Sequence, residues 1–375
     1  MPSFKPTAPW HAAPHTLAKI EIIQKYLYRW FSILGKSKRP GTRLVYIDGF
    51  AGPGEYSNSS ESSPMAALTA ARDALAAIGT GLSEKECCFL FVEKNKDLAE
   101  HLRSVVEKVE LPPQIKWQIE EGTFEEKVGG ILGKIKSEGQ QLAPTFAFID
   151  PFGVTGIPFS VVAEILSHPS CEVLVNLDSD GIGRLIHARS FEENRAHLDK
   201  LFGDNSWASE LNPALPMQQL ARQVLALYKR RLRTLSKVKY VYAFAMNTRK
   251  GQINYHLVFA SQHPLGLEKM KEAMKAVDKS GSFSFSDDSD EQQMLLFDFN
   301  RPDDWALRMA ASLAGPWRTF ADFRDYALSE TPFGNPKAML RHLSLAERVE
   351  VEWHGLPPRR NTFPEEKIRR IRVKE

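Results

Sequence analysis

The chain has 375 residues, 43% of them apolar and 25% charged, with a formal net charge of +3; this balance excludes wholesale disorder and suits two units or one enlarged domain. Its three cysteines, Cys87, Cys88 and Cys171, are too few for a disulfide framework or an all-cysteine zinc site, so they read as small apolar side chains of a cytoplasmic protein with no metal. No run of 18 apolar residues occurs, and the opening MPSFKPTAPWHAAPHT has no apolar stretch, so neither a membrane span nor secretion is expected.

In chain order, HTLAKIEIIQKYLYRWF (15–31) repeats apolar residues at helical spacing and predicts a packed helix, with His15 and Lys19 one turn apart. Runs rich in β-branched and aromatic residues then predict strands at 43–48, 87–93, 115–120, 145–150, 172–177, 239–246 and 254–260. Helical patterns such as 98–109 and 160–166 fall between most of them, which predicts a doubly wound, mostly parallel α/β sheet. Only NTRKGQI separates the last two strands, so they must form an antiparallel hairpin turning at Gly251. Five parallel strands closed by such a hairpin resemble the sheet of Rossmann-like methyltransferases.

This domain is expected to span 1–280, with a basic helical insertion near 180–236. Residues 182–240 hold eleven basic side chains against five acids, with YKRRLR at 228–233, and residues 359–375 hold seven against three. Local excess of this kind suits a phosphate-binding surface or, equally, a solvated face. The polar segment SGSFSFSDDSDEQQ (280–293) predicts a linker over 281–300. Beyond it, Asp303 and Asp304 open a helix to Leu313, and Thr319 with Asp322 forms a capping-box pattern for a second helix. Asn335-Pro336 starts a third helix, and extended segments at 349–353 and up to Val373 complete a hairpin. Residues 301–375 thus have winged helix-turn-helix order. Lys337 and Arg341 share a face of its third helix, and Arg359, Arg360, Arg369, Arg370 and Arg372 accompany the hairpin; all are candidates for phosphate contact.

The sharpest motif is YIDGFAGPGEY (46–56), in which a strand ending at Asp48 runs into Gly49, Phe50, Gly52 and Gly54. Glycines let backbone turn tightly and approach a ligand closely, and no G-x-G-x-x-G dinucleotide fingerprint is present. The loop resembles motif I of S-adenosylmethionine-dependent methyltransferases, which implies that it holds the methionine half of that cofactor and that Asp48 serves its amino group. Glu93, at the tip of the second strand, suits a ribose diol, although it lies 39 residues beyond Gly54; an insertion at 55–63 accounts for the excess. Thr123, in EGTF after the third strand, is the adenine candidate. FAFIDPFG (146–153) delivers Asp150, Pro151 and Phe152 to a strand end, where open α/β sheets bind ligands.

The D-P-F-G turn resembles the D-P-P-Y motif of amino methyltransferases and is similar in form to that of tRNA guanine-N2 dimethyltransferases. The resemblance implies that Asp150 and the Pro151 carbonyl accept the N–H groups of an exocyclic base amine while Phe152 stacks on the base. An H-x-x-x-K helix ahead of this loop resembles bacterial rRNA adenine-N6 methyltransferases and implies an active-site role for Lys19. Together, HTLAK, YIDGFAGPGEY, SSPMAAL (62–68), FVEKN (91–95), FIDPFG (148–153) and YHLVFASQHPLGLEKMKEAM (255–274) resemble the three-Cys-motif partner proteins. That resemblance implies a bacterial or phage protein with a radical S-adenosylmethionine-like partner. Two readings follow: methylation of a base amine in DNA or RNA, or a non-catalytic nucleic-acid-binding partner of the radical enzyme. A small-molecule methyltransferase would leave the C-terminal unit unexplained.

Overall fold

The computed structural model describes residues 10–37, 43–78, 84–188, 191–236, 238–247, 253–278, 284–286 and 302–374. All seven expected strands form: β1 (Arg43–Asp48), β2 (Glu86–Glu93), β3 (Ile115–Glu121), β4 (Thr145–Ile149), β5 (Glu172–Leu177), β6 (Tyr240–Asn247) and β7 (Ile253–Ser261). Their order is β3-β2-β1-β4-β5-β7-β6, with β7 antiparallel to both neighbours. This is a Rossmann-like α/β sheet closed by an antiparallel hairpin, as the sequence predicts; Gly251 lies outside the described residues. One expectation changes. Residues 284–286, placed in a linker from the sequence, form β8 and pair in parallel with 245–247 of β6, covering an edge that would otherwise present unpaired backbone.

β4 sits centrally and is buried along its whole length, which is why TFAFI is apolar without alternation. On one face, α1 (Pro14–Gly35), α2 (Ser63–Ile78) and α10 (Pro264–Val277) bury Ile23, Phe31, Ala67 and Met270 against Tyr46, Phe146 and Phe259. α3 (Lys96–Val106) adds Leu102 to the same core. On the other face, α4 (Phe124–Ser137), α5 (Phe159–Ser167) and α6 (Ser179–His187) join α7 (Phe191–Phe202), α8 (Trp207–Glu210) and α9 (Met217–Leu235) over Ile47, Val173 and Val258.

The YKRRLR segment of α9 proves to be largely structural. Tyr228, Arg231 and Leu232 lie on its buried face, and Arg231, 6% exposed, donates to Asp204 and Glu210 at 2.8 Å each and to Ser206 at 2.6 Å. Arg230 is paired with Glu210, and Arg233 donates to the Val241 carbonyl. Two of the four basic side chains in this segment are therefore answered from within, because their acids arrive from α8 and the turn before it.

The C-terminal unit has α11 (Pro302–Leu313), α12 (Phe320–Glu330), α13 (Lys337–Leu345) and the antiparallel pair β9 (Val349–Trp353) and β10 (Ile368–Val373) around its own core of Met309, Phe323, Leu340 and Ile371. Thr319 and Asp322 form the expected capping box. Helix α13 begins one residue later than expected, with the Asn335 carboxamide oxygen accepting from Lys337 N at 3.1 Å. The chain between α11 and α12 pairs with β10 at Ala314–Val373 and Arg318–Ile371. Lys271 of α10 joins this unit to the sheet domain: its buried ammonium donates to the carbonyls of Ala327, Leu328, Thr331 and Phe333 at 2.6–3.2 Å and lies 4.5 Å from the Tyr242 ring. These carbonyls sit at and just beyond the C-terminal end of α12, where helical partners run out and negative potential gathers.

Candidate active site

A cavity of about 820 Å³ opens at the C-terminal ends of β1, β2 and β4, the crevice edge expected of this fold. The loop after β1 forms one wall. Gly49 N donates to Phe148 O and Ala51 N to Val92 O, each at 2.9 Å, so the neighbouring strands hold the loop. A Cβ at Gly49 would lie 2.7 Å from the Phe124 ring, whereas at Gly52 (φ +64°) it would meet nothing within 4 Å. Gly49 is thus required by packing and Gly52 by backbone conformation, with open space before it. Glu93 fastens the loop: one carboxylate oxygen accepts from Gly52 N at 2.9 Å and the other from Asn95 N at 2.8 Å. Both oxygens keep a lone pair for a ligand.

Two loop residues lie off the cavity. Asp48 is fully buried and does not line the cavity; it accepts from Phe50 N at 3.2 Å and from the Tyr46 hydroxyl at 3.3 Å. Burial raises its pKa to about 7, opposed by hydrogen bonds from Ser63, Phe50 and Tyr46 and reinforced by Asp150. Gly54 (φ +89°) faces Leu102, where a Cβ would come within 2.7 Å, and it too lies off the cavity. Both are expected from sequence to serve the cofactor, and neither borders the cavity. Phe50 and Thr123 do line the cavity, and the Thr123 hydroxyl oxygen also accepts from Glu126 N at 3.2 Å as the cap of α4.

At the other end stands Asp150. Its carboxylate receives Lys19 Nζ at 2.5 Å and Asn176 Nδ2 at 2.6 Å, so helix α1 and strand β5 converge on it. The ammonium of Lys19 also lies 5.6 Å from the Tyr255 ring, and the His15 ring packs on the same tyrosine at 5.9 Å. Pro151 is buried, whereas Phe152 is 89% exposed and meets Trp10 edge-on, ring centroids 5.7 Å apart. Sequence reasoning missed Asn176, Tyr255 and Trp10. Asn176 left a trace, being a polar residue within the apolar run EVLVNL; Trp10 left none.

Among the candidate phosphate contacts, Lys337, Arg341, Arg359, Arg360 and Arg369 are exposed. Arg370 is exposed but forks onto Glu352 at 2.6 and 2.7 Å, and Arg372 pairs with Glu350; both lie over Trp317. Among the described residues no group of His, Cys, Asp or Glu could hold a metal, and no helix is long and apolar enough to cross a membrane.

No family model matches this chain, and no curated protein matches it in sequence. Among solved structures it is similar to an O-methyltransferase from Bacillus cereus in complex with SAH, at 13% identity over 64% of this chain and 80% of that one, TM-score 0.34. It is similar to a SAH-bound methyltransferase from Podospora anserina at 11% identity, over 62% of this chain and 76% of that one, TM-score 0.27. A geranyl diphosphate methyltransferase in complex with GPP and sinefungin matches at 11% identity over 68% and 89% of the respective chains, TM-score 0.28. The fold assignment itself rests on the strand order given above.

Proposed function

We propose that the protein is an S-adenosylmethionine-dependent methyltransferase acting on an exocyclic amine of a nucleic-acid base. The observation that carries this reading is a single cavity with the Glu93-fastened glycine loop along one wall and Asp150 with Phe152 at its other end. The residues fit the cofactor. Open space in front of Gly52 leaves room for its backbone-hugging part, and Glu93 retains lone pairs for ribose hydroxyls. Leu98, Gly122 and Thr123 border the space in which an adenine would lie. When bound, the cofactor supplies an electrophilic methyl group.

The chain's own contribution is to orient the acceptor. An exocyclic amine is a weak nucleophile because its lone pair is delocalised into the ring. Accepting its N–H hydrogens localises that pair, and Asp150 is placed to do so with its carboxylate fixed by Lys19 and Asn176. In this reading the C-terminal unit is a winged helix that grips phosphates through Lys337, Arg341, Arg359, Arg360 and Arg369.

A second reading has a specific observation behind it. Lys19 is ion-paired with Asp150 and draws on the negative charge that would localise an amine's lone pair, which favours a chain that keeps the fold without catalysis and presents nucleic acid to a radical S-adenosylmethionine-like partner. Calorimetry with S-adenosylhomocysteine, followed by mass spectrometry of nucleosides after incubation with labelled cofactor, separates the two. Binding with label on a base amine supports the enzyme. Binding without label supports the non-catalytic partner, and no binding overturns both cofactor and enzyme.

A further inference from the structure

The loop 55–62, which sequence analysis could treat only as spacing between Gly54 and α2, holds the chain ahead of α1 in place. The Asn58 carboxamide makes two bonds to one residue: its oxygen accepts from Ala12 N at 2.8 Å and its Nδ2 donates to Ala12 O at 3.0 Å. Next to it, Ser57 N donates to Trp10 O at 2.8 Å, and a turn between Tyr56 and Ser59 closes the loop behind them. Ala12 is itself buried, so this is an anchored strap. Its product is the position of Trp10, which borders the same cavity as Asp150 and stands edge-on to Phe152.

An aromatic ring left 89% exposed at a cavity mouth gives up the free energy its burial would contribute. Phe152 would be covered if a flat ring lay on its open face, with the Trp10 indole as a wall beside it. Asp150, two residues earlier and also bordering the cavity, would then accept an N–H at the ring's edge. A base paired within a duplex cannot offer both a ring face and its amine edge; a splayed or flipped base can.

We propose that Trp10 is a second aromatic wall for one unstacked nucleobase, standing beside Phe152, whose stacking on the base the motif resemblance already implies, with Asn58 as the positioning residue that sets Trp10. This deepens the preceding proposal and rests on it. The strap makes the base-binding wall from a segment that belongs to neither the sheet nor the C-terminal unit, so the base-selecting contact and the phosphate contacts are separable.

The test uses the full chain and short single strands, DNA and RNA of one sequence, each carrying a single 2-aminopurine whose fluorescence falls on stacking. The parent should quench the probe, and Trp10→Ala or Phe152→Ala should weaken the quenching complex about ten-fold, in keeping with the loss of one stacking ring. Trp10→Phe should restore most of it. Asn58→Ala should give a smaller loss, and all variants should still bind S-adenosylhomocysteine by calorimetry, which excludes misfolding. A Trp10→Ala variant that quenches as the parent does overturns the Trp10 wall. So does a parent that binds strands without quenching, and if it still binds S-adenosylhomocysteine the wider proposal stands. Failure of the parent to bind S-adenosylhomocysteine overturns the reading beneath.

Discussion

Residues 228–233 of α9 and the region 337–373 look alike in the sequence, each a local surplus of arginine and lysine, yet they meet different fates. In α9 the helical period puts Arg231 on the same stripe as Leu227 and Tyr228, so it is drawn inside and neutralised by Asp204 and Glu210. In β10 a register shift between Ile368 and Arg370 turns Arg369 and Arg370 both outward, after which Ile371 and Val373 point in. Lys271 is a third case, whose hydrogen bonds among the described residues go to backbone carbonyls. The lesson is that a charge count measures nothing until the acids that answer it are located.

Four substitutions sharpen the contrast, beginning with the largest effect. Lys271→Met should cost several kcal/mol, since each carbonyl left without a donor costs about 1–3 kcal/mol. The loss should appear as earlier loosening of residues 302–374 in limited proteolysis. Unchanged protection there would show that other contacts, such as the Tyr240 hydroxyl on Asp325 at 2.7 Å, suffice to dock the unit.

Arg231→Met should destabilise the whole fold by about 3 kcal/mol, toward the lower bound for breaking a buried pair because its carboxylates are partly in water. The effect carries a pH signature. Hydrogen bonds from Arg231 and Ser206 hold the Asp204 carboxyl down at about 2, against an ordinary 3.8. A depressed acid contributes stability that is complete above its unfolded pKa and is lost as pH falls through the folded one. The gap in urea midpoint between parent and variant should therefore be widest above about pH 4 and should narrow between about pH 4 and 2. A gap independent of pH would mean that packing, not the ion pair, carries Arg231.

The smallest effect tests the exposed region. If 337–373 grips phosphates, Arg341→Ala should lower the salt slope of binding to nucleic acid by about one unit. Arg370→Ala should change it less, because Glu352 already neutralises that guanidinium. Equal slopes for parent and both variants, measured over several salt concentrations, would return this surface to protein docking.

Local rules carried much of this structure. Alternating apolar runs and helical patterns located the seven strands, and Thr319 with Asp322 marked a helix start because a capping box is satisfied within four residues. The glycine loop was legible for the same reason, since positive φ at Gly52 and Gly54 is a property of the backbone there. Asp150 was also legible as a strand-end acid, and Glu93 likewise.

The chain could not announce which strand-end acid would be sealed and which left open. Asp48 and Asp150 each close an apolar run, but Asp48 sits under its own loop and is pushed up to about 7, while Asp150 faces the cavity in the grip of Lys19 and Asn176. Nor could it place Trp10 against Phe152, or show that Asn58 bonds to Ala12 of the segment that carries the tryptophan. Sequence by itself determined the elements, their order and the class of crevice, because those follow from periodicity and turn chemistry between near neighbours. Which charges are buried, which acid is available and which aromatic guards the mouth depend on contacts between residues far apart in the chain, and only the tertiary structure brings those together.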